Sequence, residues 1–293
     1  MKTQLVERVF VWHAEPNAHG GWLAGDPVRS GMFNIMSLGI AAHEVRVMRT
    51  FRKAEAQVAD AGIKADIRAL IGQERQHYRA HNPLNTLLLD ADAELKLFFE
   101  RIRSRHLKLS EENSYDAALG YLLATEFLLG CMGRAVLSTD GFFEGADPDI
   151  AALWIYHSLE ELEHTRVSFD VVHDYLGEGS VPKLLKGSLQ RVLGDTRGDL
   201  TTDPALQIKF TDKLRFNWIA DFVDALGAPT MRAVGIRDIL DYFMSEDCIL
   251  FRRSAGWYNL FDPTSWHPSR RYDEDMRLIE RWDTHLRTHG YLQ

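Results

Sequence analysis

Apolar residues along this chain recur at three- and four-residue intervals, and few stretches alternate with period two. The pattern predicts an all-α protein. A first helix is expected from about Met32 to about Gln57. A second starts at Asp60, whose carboxylate can cap it, and runs to about Ala80, where "HNP" stops it. Asn82 can cap, and Pro83 open, a further helix carrying "LNTLLLDADAELKLFFERIRSRH". After "SEEN" another spans roughly Ser114 to Ser138. Asp147–Pro148, an N-cap followed by proline at the first helical position, opens one that reaches about Leu176. Beyond "GEGSVP" come three weaker helical patterns, near residues 183–194, 204–226 and 229–252. The last forty residues, with "WYNLFDPTSWHPSRRY", read as a packed aromatic loop followed by a short helix. No low-complexity linker interrupts the chain. One domain over 1–293 is expected, with a bundle core at about 32–176 and a C-terminal helical extension at about 181–293.

Composition narrows the class. The chain is 45% hydrophobic with seven Trp and fifteen Phe, enough for a large core. A formal net charge of −8 argues against a nucleic-acid or anionic-membrane surface as the main partner. Two cysteines, Cys131 and Cys248, cannot build a disulfide framework or a thiolate-ligated zinc or iron–sulfur site, and they suit a reducing cytosol. The first residues, "MKTQLVERVFVWHAEP", lack the apolar run and cleavage site of a signal peptide, so a cytoplasmic location is expected. The most apolar window, "AALGYLLATEFLLGCMGRAVL", carries Glu126 near its middle and Arg134 near its end. It reads as a core helix with one carboxylate rather than as a membrane span.

The chemistry lies in two segments. Glu-x-x-His occurs at Glu74–His77, inside "QERQHYRAHN", and at Glu161–His164, inside "HSLEELEHTRVSFD". One such pair is common on exposed helix faces. Two, on two core helices, match the four-helix carboxylate bundles that hold two metals. Those bundles take such a pair from each of two helices and a lone glutamate from each of the other two. Glu126 is one candidate, its stripe holding Leu122, Leu129, Gly130 and Gly133. Glu44 is the other, beside Ile40, Val47, Met48 and Phe51, and it is preferred to Glu55, whose stripe includes Arg52. Glu44 and Glu74 stand about equally far from the turn near 57–60, and Glu126 and Glu161 from the turn at 139–147. All four carboxylates therefore fall at one level. Ionised together in a dry core they would be prohibitively costly, whereas two divalent cations cancel their charge. Carboxylate and imidazole donors without thiolate suit two iron ions, or manganese. Each pair has an added histidine on its own face, His157 and His81, as further ligand, hydrogen-bonding partner of a ligand, or satisfied core histidine. Glu163 is expected to point away into solvent, with Glu160 at the edge.

These residues carry a resemblance. "LIGQERQHYRAHNPLN", "WIYHSLEELEHTRVSFDV" and the late "WHPSRRYDEDMRLIERW" resemble the bacterial family labelled predicted metal-dependent hydrolase, over nearly the whole chain. Glu44 falls where that family carries its first-helix glutamate, although the approach to it here is "AAHE" rather than the usual Pro-x-Gly-Glu type. The His-x-x-x-Glu-x-x-His segment is also similar to that of ferritin-like di-iron arylamine N-oxygenases, where the added histidine binds iron. The resemblances imply a ferritin-like di-metal bundle. For function they imply either O₂ activation at two irons, oxidising a small organic substrate, or two-metal hydrolysis of a small substrate. The first reading is preferred here because the chain shows no phosphate cradle and its ligands lie deep in a bundle. Ferroxidase-type iron handling ranks last, since it needs no C-terminal extension. A small-molecule substrate and O₂ are the expected partners, with an external electron donor and a homodimer both left open. Neither nucleic acid nor membrane is expected.

Overall fold

A computed structural model describes residues 5–18, 21–112, 114–177 and 267–293, together with 180, 181, 183–185 and 188. Five helices follow one another: α1 (Pro27–Gln57), α2 (Ala61–Ala91), α3 (Ala93–Glu112), α4 (Tyr115–Ser138) and α5 (Pro148–Leu176). After a 3₁₀ turn at Pro268–Arg271 comes α6 (Tyr272–Thr288). No strand occurs among the described residues. The protein is all-α, as the periodicity predicts. The expected patterns at 204–226 and 229–252, most of 183–194 and the start of the aromatic loop lie outside the described residues. The short helix expected near the end is α6.

Helix starts follow local chemistry. Asp26 accepts from the backbone N–H of Val28 at 2.9 Å and Arg29 at 3.0 Å, with Pro27 at the first helical position. So α1 begins five residues before the expected Met32, on the same Asp–Pro signature that opens α5. Asp60 caps α2 through the N–H of Ile63 at 2.9 Å, and Asp147 caps α5 through Asp149 and Ile150 at 3.0 and 3.1 Å.

One expected stop does not occur. Pro83 lies inside α2, which continues to Ala91, and the break comes at Asp92. A mid-helix proline removes one hydrogen bond and crowds the preceding turn. Here the buried face runs straight through it, as Ala80, His81, Leu84 and Asn85, and burial outweighs the lost bond. The Trp12 indole donates to the Ala80 carbonyl at 3.0 Å, in the turn before the proline. The segment expected as one helix from Pro83 is thus shared between α2 and α3.

α1 packs on α2, α4 on α5, α2 on α5 and α1 on α4, which closes a ring of four helices. Helix α3 returns outside that ring along α1, where Arg49 and Lys53 reach Ser110 at 3.1 and 2.9 Å. Helix α6 lies across α5 and α4, and its Trp282 indole donates to the Leu137 carbonyl at 2.8 Å. The core forms two apolar clusters. One contains Phe33, Leu38, Leu84, Trp154 and Tyr156; the other contains Val47, Phe51, Ile67, Leu70 and Val167. On α1, α2 and α5 the polar level predicted from the turn distances falls between them. Helix α4 is long and apolar enough to cross a membrane, but most of it is buried in the bundle.

Two glycines bring α4 against α5. A Cβ on Gly133 would stand 2.6 Å from the Ser158 carbonyl oxygen, and one on Gly130 would overlap Thr165 Oγ1. Gly133→Ala is expected to push the two helices apart and cost about 1–3 kcal/mol, as overpacking does. Urea unfolding of the metal-loaded protein checks this, and an unchanged midpoint would refute the close-approach argument.

Candidate metal centre

The polar level assembles six of the predicted residues around one point. Glu44, Glu74, His77, Glu126, Glu161 and His164 are all buried; Glu126, His77 and His164 are fully inaccessible. Glu55, the rejected candidate on α1, instead pairs with Arg68 at 2.6 Å. Two groups of donors form: Glu44 with His77 and His157, and Glu74 with Glu161 and His164. Within each group the donor atoms lie within 4.8 Å of one another.

The atoms show how the groups connect. His77 Nδ1 lies 3.7 Å from Glu44 Oε1, 3.8 Å from Glu74 Oε2 and 3.8 Å from Glu161 Oε1. His164 Nδ1 lies 3.3 Å from Glu74 Oε1, 3.4 Å from Glu126 Oε2 and 3.6 Å from Glu161 Oε2. Glu74 and Glu161 each turn one oxygen to either histidine, as bridging carboxylates must. Glu44 serves only the His77 side and Glu126 only the His164 side. His157 Nε2 stands 3.1 Å from Glu161 Oε1, on the His77 side.

These contacts leave the site unsatisfied. Both oxygens of Glu44 and Glu126, Glu74 Oε2, Glu161 Oε2, and Nδ1 of His77 and His164 are buried without a hydrogen-bond partner among the described residues. Buried polar atoms are nearly always paired, and so many orphans converging on one space fit cations. Hard oxygen and imidazole donors suit iron or manganese. The residues present fit two metals.

The electrostatics agree. Burial, then the charges of Glu74 and Glu161, push the Glu44 carboxyl well above the usual carboxylate range. Burial likewise raises Glu74 and Glu126 to about 7. Burial disfavours charge on His164 and Glu161 too, but they oppose each other closely. The imidazole is therefore held well above its ordinary value and the carboxyl well below. Without metal, a proton takes the place of a cation.

Apart from Glu160, which the sequence places at the edge of the ligand face, sequence reasoning missed the shell that orients these ligands. Gln73 donates its amide N–H to the Val6 carbonyl at 2.9 Å and to Glu163 Oε2 at 2.6 Å. Its amide oxygen therefore faces His164 Nε2 at 3.2 Å, keeping that proton outward and the Nδ1 lone pair on the site. Glu160 Oε2 lies 2.9 Å from His77 Nε2, off the hydrogen-bond line. Burial raises the Glu160 carboxyl to about 7, even beside Arg8. Glu163 is not solvated as expected. It is largely buried and pairs with Arg8 at 3.0 Å, because the N-terminal segment lies over that face of α5. Arg8 is itself buried and also reaches Glu160 at 3.3 Å and Asp283 of α6 at 2.8 Å. No helical pattern announces an extended segment, so Arg8 had no signal. Gln73 did, as the residue preceding Glu74 in the first motif.

Three of the other histidines are placed apart from both donor groups. His81 turns one ring nitrogen to His157 and the other to Ser37. His43 meets the Tyr121 hydroxyl at 3.1 Å, and burial, then Arg46, lower it to about 3. His267 packs edge-on against Phe169.

Residues 7–197 match the family described as predicted metal-dependent hydrolase, which covers most of the chain and every residue of the two donor groups. The chain belongs to that family. No curated protein and no solved structure gives a significant match. The family's description and the buried carboxylate–histidine groups agree on a metal-dependent enzyme.

Proposed function

We propose that this member of the family is a two-metal hydrolase of a small substrate. The observation that carries the reading is the pair of carboxylates, Glu74 and Glu161, each presenting one oxygen to His77 and one to His164. Two divalent ions held there would polarise the scissile group and lower the pKa of an attacking water. Glu44, His77 and His157 would hold one ion, Glu126 and His164 the other. Gln73 keeps the His164 lone pair on the ion, and the apolar clusters above and below exclude bulk water.

A second reading rests on His157 and the four carboxylates. A third imidazole fills a position that a hydrolytic water would otherwise take, and an enclosed site of four carboxylates and imidazoles suits two irons acting on O₂. That protein would oxidise a small organic substrate using an external electron donor.

Oxygen separates the two. Protein loaded with Zn(II) or Mn(II) is assayed anaerobically against p-nitrophenyl esters and phosphate esters, in parallel with iron-loaded protein in air. Turnover by the redox-inert form without O₂ is the expected result. Product formation that requires both iron and O₂ would overturn the hydrolase in favour of the oxidase.

A further inference from the structure

Behind His157 a row of buried polar side chains leads away from the site along the α1–α2 contact. His157 Nδ1 lies 3.3 Å from His81 Nε2, and His81 Nδ1 lies 2.7 Å from Ser37 Oγ. Ser37 Oγ lies 2.6 Å from Asn85 Oδ1, and Asn85 Nδ2 donates to the Ser37 backbone carbonyl at 3.3 Å. Ser37 and His81 are fully inaccessible, and Asn85 and His157 are buried.

The direction of every proton in this row follows from its far end. A backbone carbonyl only accepts, so the Asn85 amide must turn its NH₂ to it and its oxygen to Ser37. The single hydroxyl proton of Ser37 is then committed to Asn85. Ser37 can only accept from His81, which places the His81 proton on Nδ1. A neutral His81 has one ring proton, so its Nε2 must accept, and the proton it accepts sits on His157 Nδ1. Among the described residues no carboxylate forms an ion pair with His81 to favour a second proton there. His157 Nε2 is left with a bare lone pair, buried, without a hydrogen-bond partner among the described residues and 3.1 Å from Glu161 Oε1. A lone pair facing a carboxylate oxygen is repulsive unless a cation lies between them.

We infer that Asn85 and Ser37, acting through His81, are positioning residues that lock His157 in the Nδ1–H tautomer and so make Nε2 the third imidazole donor to the ion beside Glu44 and His77. The inference rests on the two-metal reading above. It holds whether the bound ions hydrolyse a substrate or handle O₂. It also assigns a role to His81 that ligation would not: its ring relays orientation and carries no metal.

Removing Asn85 frees the row to reverse. The Ser37 hydroxyl would then donate to His81, His81 Nε2–H to His157, and the His157 proton would move to Nε2, blocking it. The test is nitrogen NMR of full-length protein labelled at its histidine ring nitrogens and titrated with Zn(II) alone. Three ring nitrogens should shift on binding, Nδ1 of two histidines and Nε2 of one, and the Nε2 signal should be absent in His157→Ala. Asn85→Leu should lose that Nε2 shift and weaken one zinc site about 10- to 100-fold, the usual effect of losing an outer partner. Asn85→Asp, which still accepts from Ser37, should restore the shift. Two shifted nitrogens, both Nδ1, would overturn the inference and leave the two-metal reading standing. Persistence of the Nε2 shift in Asn85→Leu would also overturn it. No shifted nitrogen at all would remove both. Should Asn85→Leu fail to fold, the wild-type and His157→Ala spectra still decide.

Discussion

Replacing Glu161 with glutamine is expected to reduce metal loading from two ions per chain to one or none. Its two oxygens face different histidines, Oε1 toward His77 and His157 and Oε2 toward His164, so both ions lose a ligand at once. The amide keeps the size and one oxygen but not the charge. Four glutamates balance two divalent cations, and three leave a buried positive excess whose desolvation costs several kcal/mol. Turnover should fall by at least about 100-fold, the upper range for losing even an outer partner of a ligand. Metal analysis after saturating iron loading reads the first effect, and a kinetic assay the second. Glu55→Gln is the control, because Glu55 sits outside the site and pairs with Arg68 near the surface. Retention of two tightly bound ions by Glu161→Gln would sink the bridging assignment.

Stripping the metals should make the protein less stable and more sensitive to alkali. Binding to the folded state alone contributes about 3–4 kcal/mol at a hundred to a thousand times the dissociation constant. The pH dependence has a definite sign. Glu74 and Glu126 are raised to about 7, and Glu44 and His164 well above their ordinary values. A raised group stabilises the fold fully below its unfolded pKa, and that contribution is lost as pH rises through the folded one. His157 and His43, lowered chiefly by burial to about 4 and about 3, act in the opposite sense but only below 6.5. Between pH 4.5 and 6.5 the two sets offset each other. Above 6.5 the raised groups act without that opposition, so the metal-free melting temperature should fall from there through neutral pH and beyond. The loaded protein, with its four ligand carboxylates already ionised against the cations, should fall less over the same range, because of the raised carboxyls at this level only Glu160 still titrates there. Calorimetry with and without chelator, at steps from pH 6 to 8.5, measures both curves. Parallel curves would argue against a buried carboxylate cluster.

Helix class, most helix starts and the level of the site were legible in the chain itself, because they depend on local chemistry. Period, Asp or Ser caps and the two Glu-x-x-His spacings are properties of neighbouring residues, and a helix carries them rigidly over ten or more positions. Equal distances from two turns were enough to put Glu44, Glu74, Glu126 and Glu161 on one level. What failed locally failed for tertiary reasons. Pro83 reads as a stop, yet the buried face on either side of it carries α2 to Ala91. Glu163 reads as solvated until Arg8, far away in sequence and in no helix, covers it. The split of bridging from terminal carboxylates also needed the fold, since it depends on which oxygen faces which imidazole across the bundle. So did the roles of the two added histidines. On their helices His81 and His157 are equivalent, one turn outside a ligand pair, and only the neighbours separate them. Ser37 and Asn85 take up His81, while His157 turns to Glu161 and joins the donor group of Glu44 and His77. Spacing along a helix specifies a face; the proton on a histidine is specified by whatever folds against its far side.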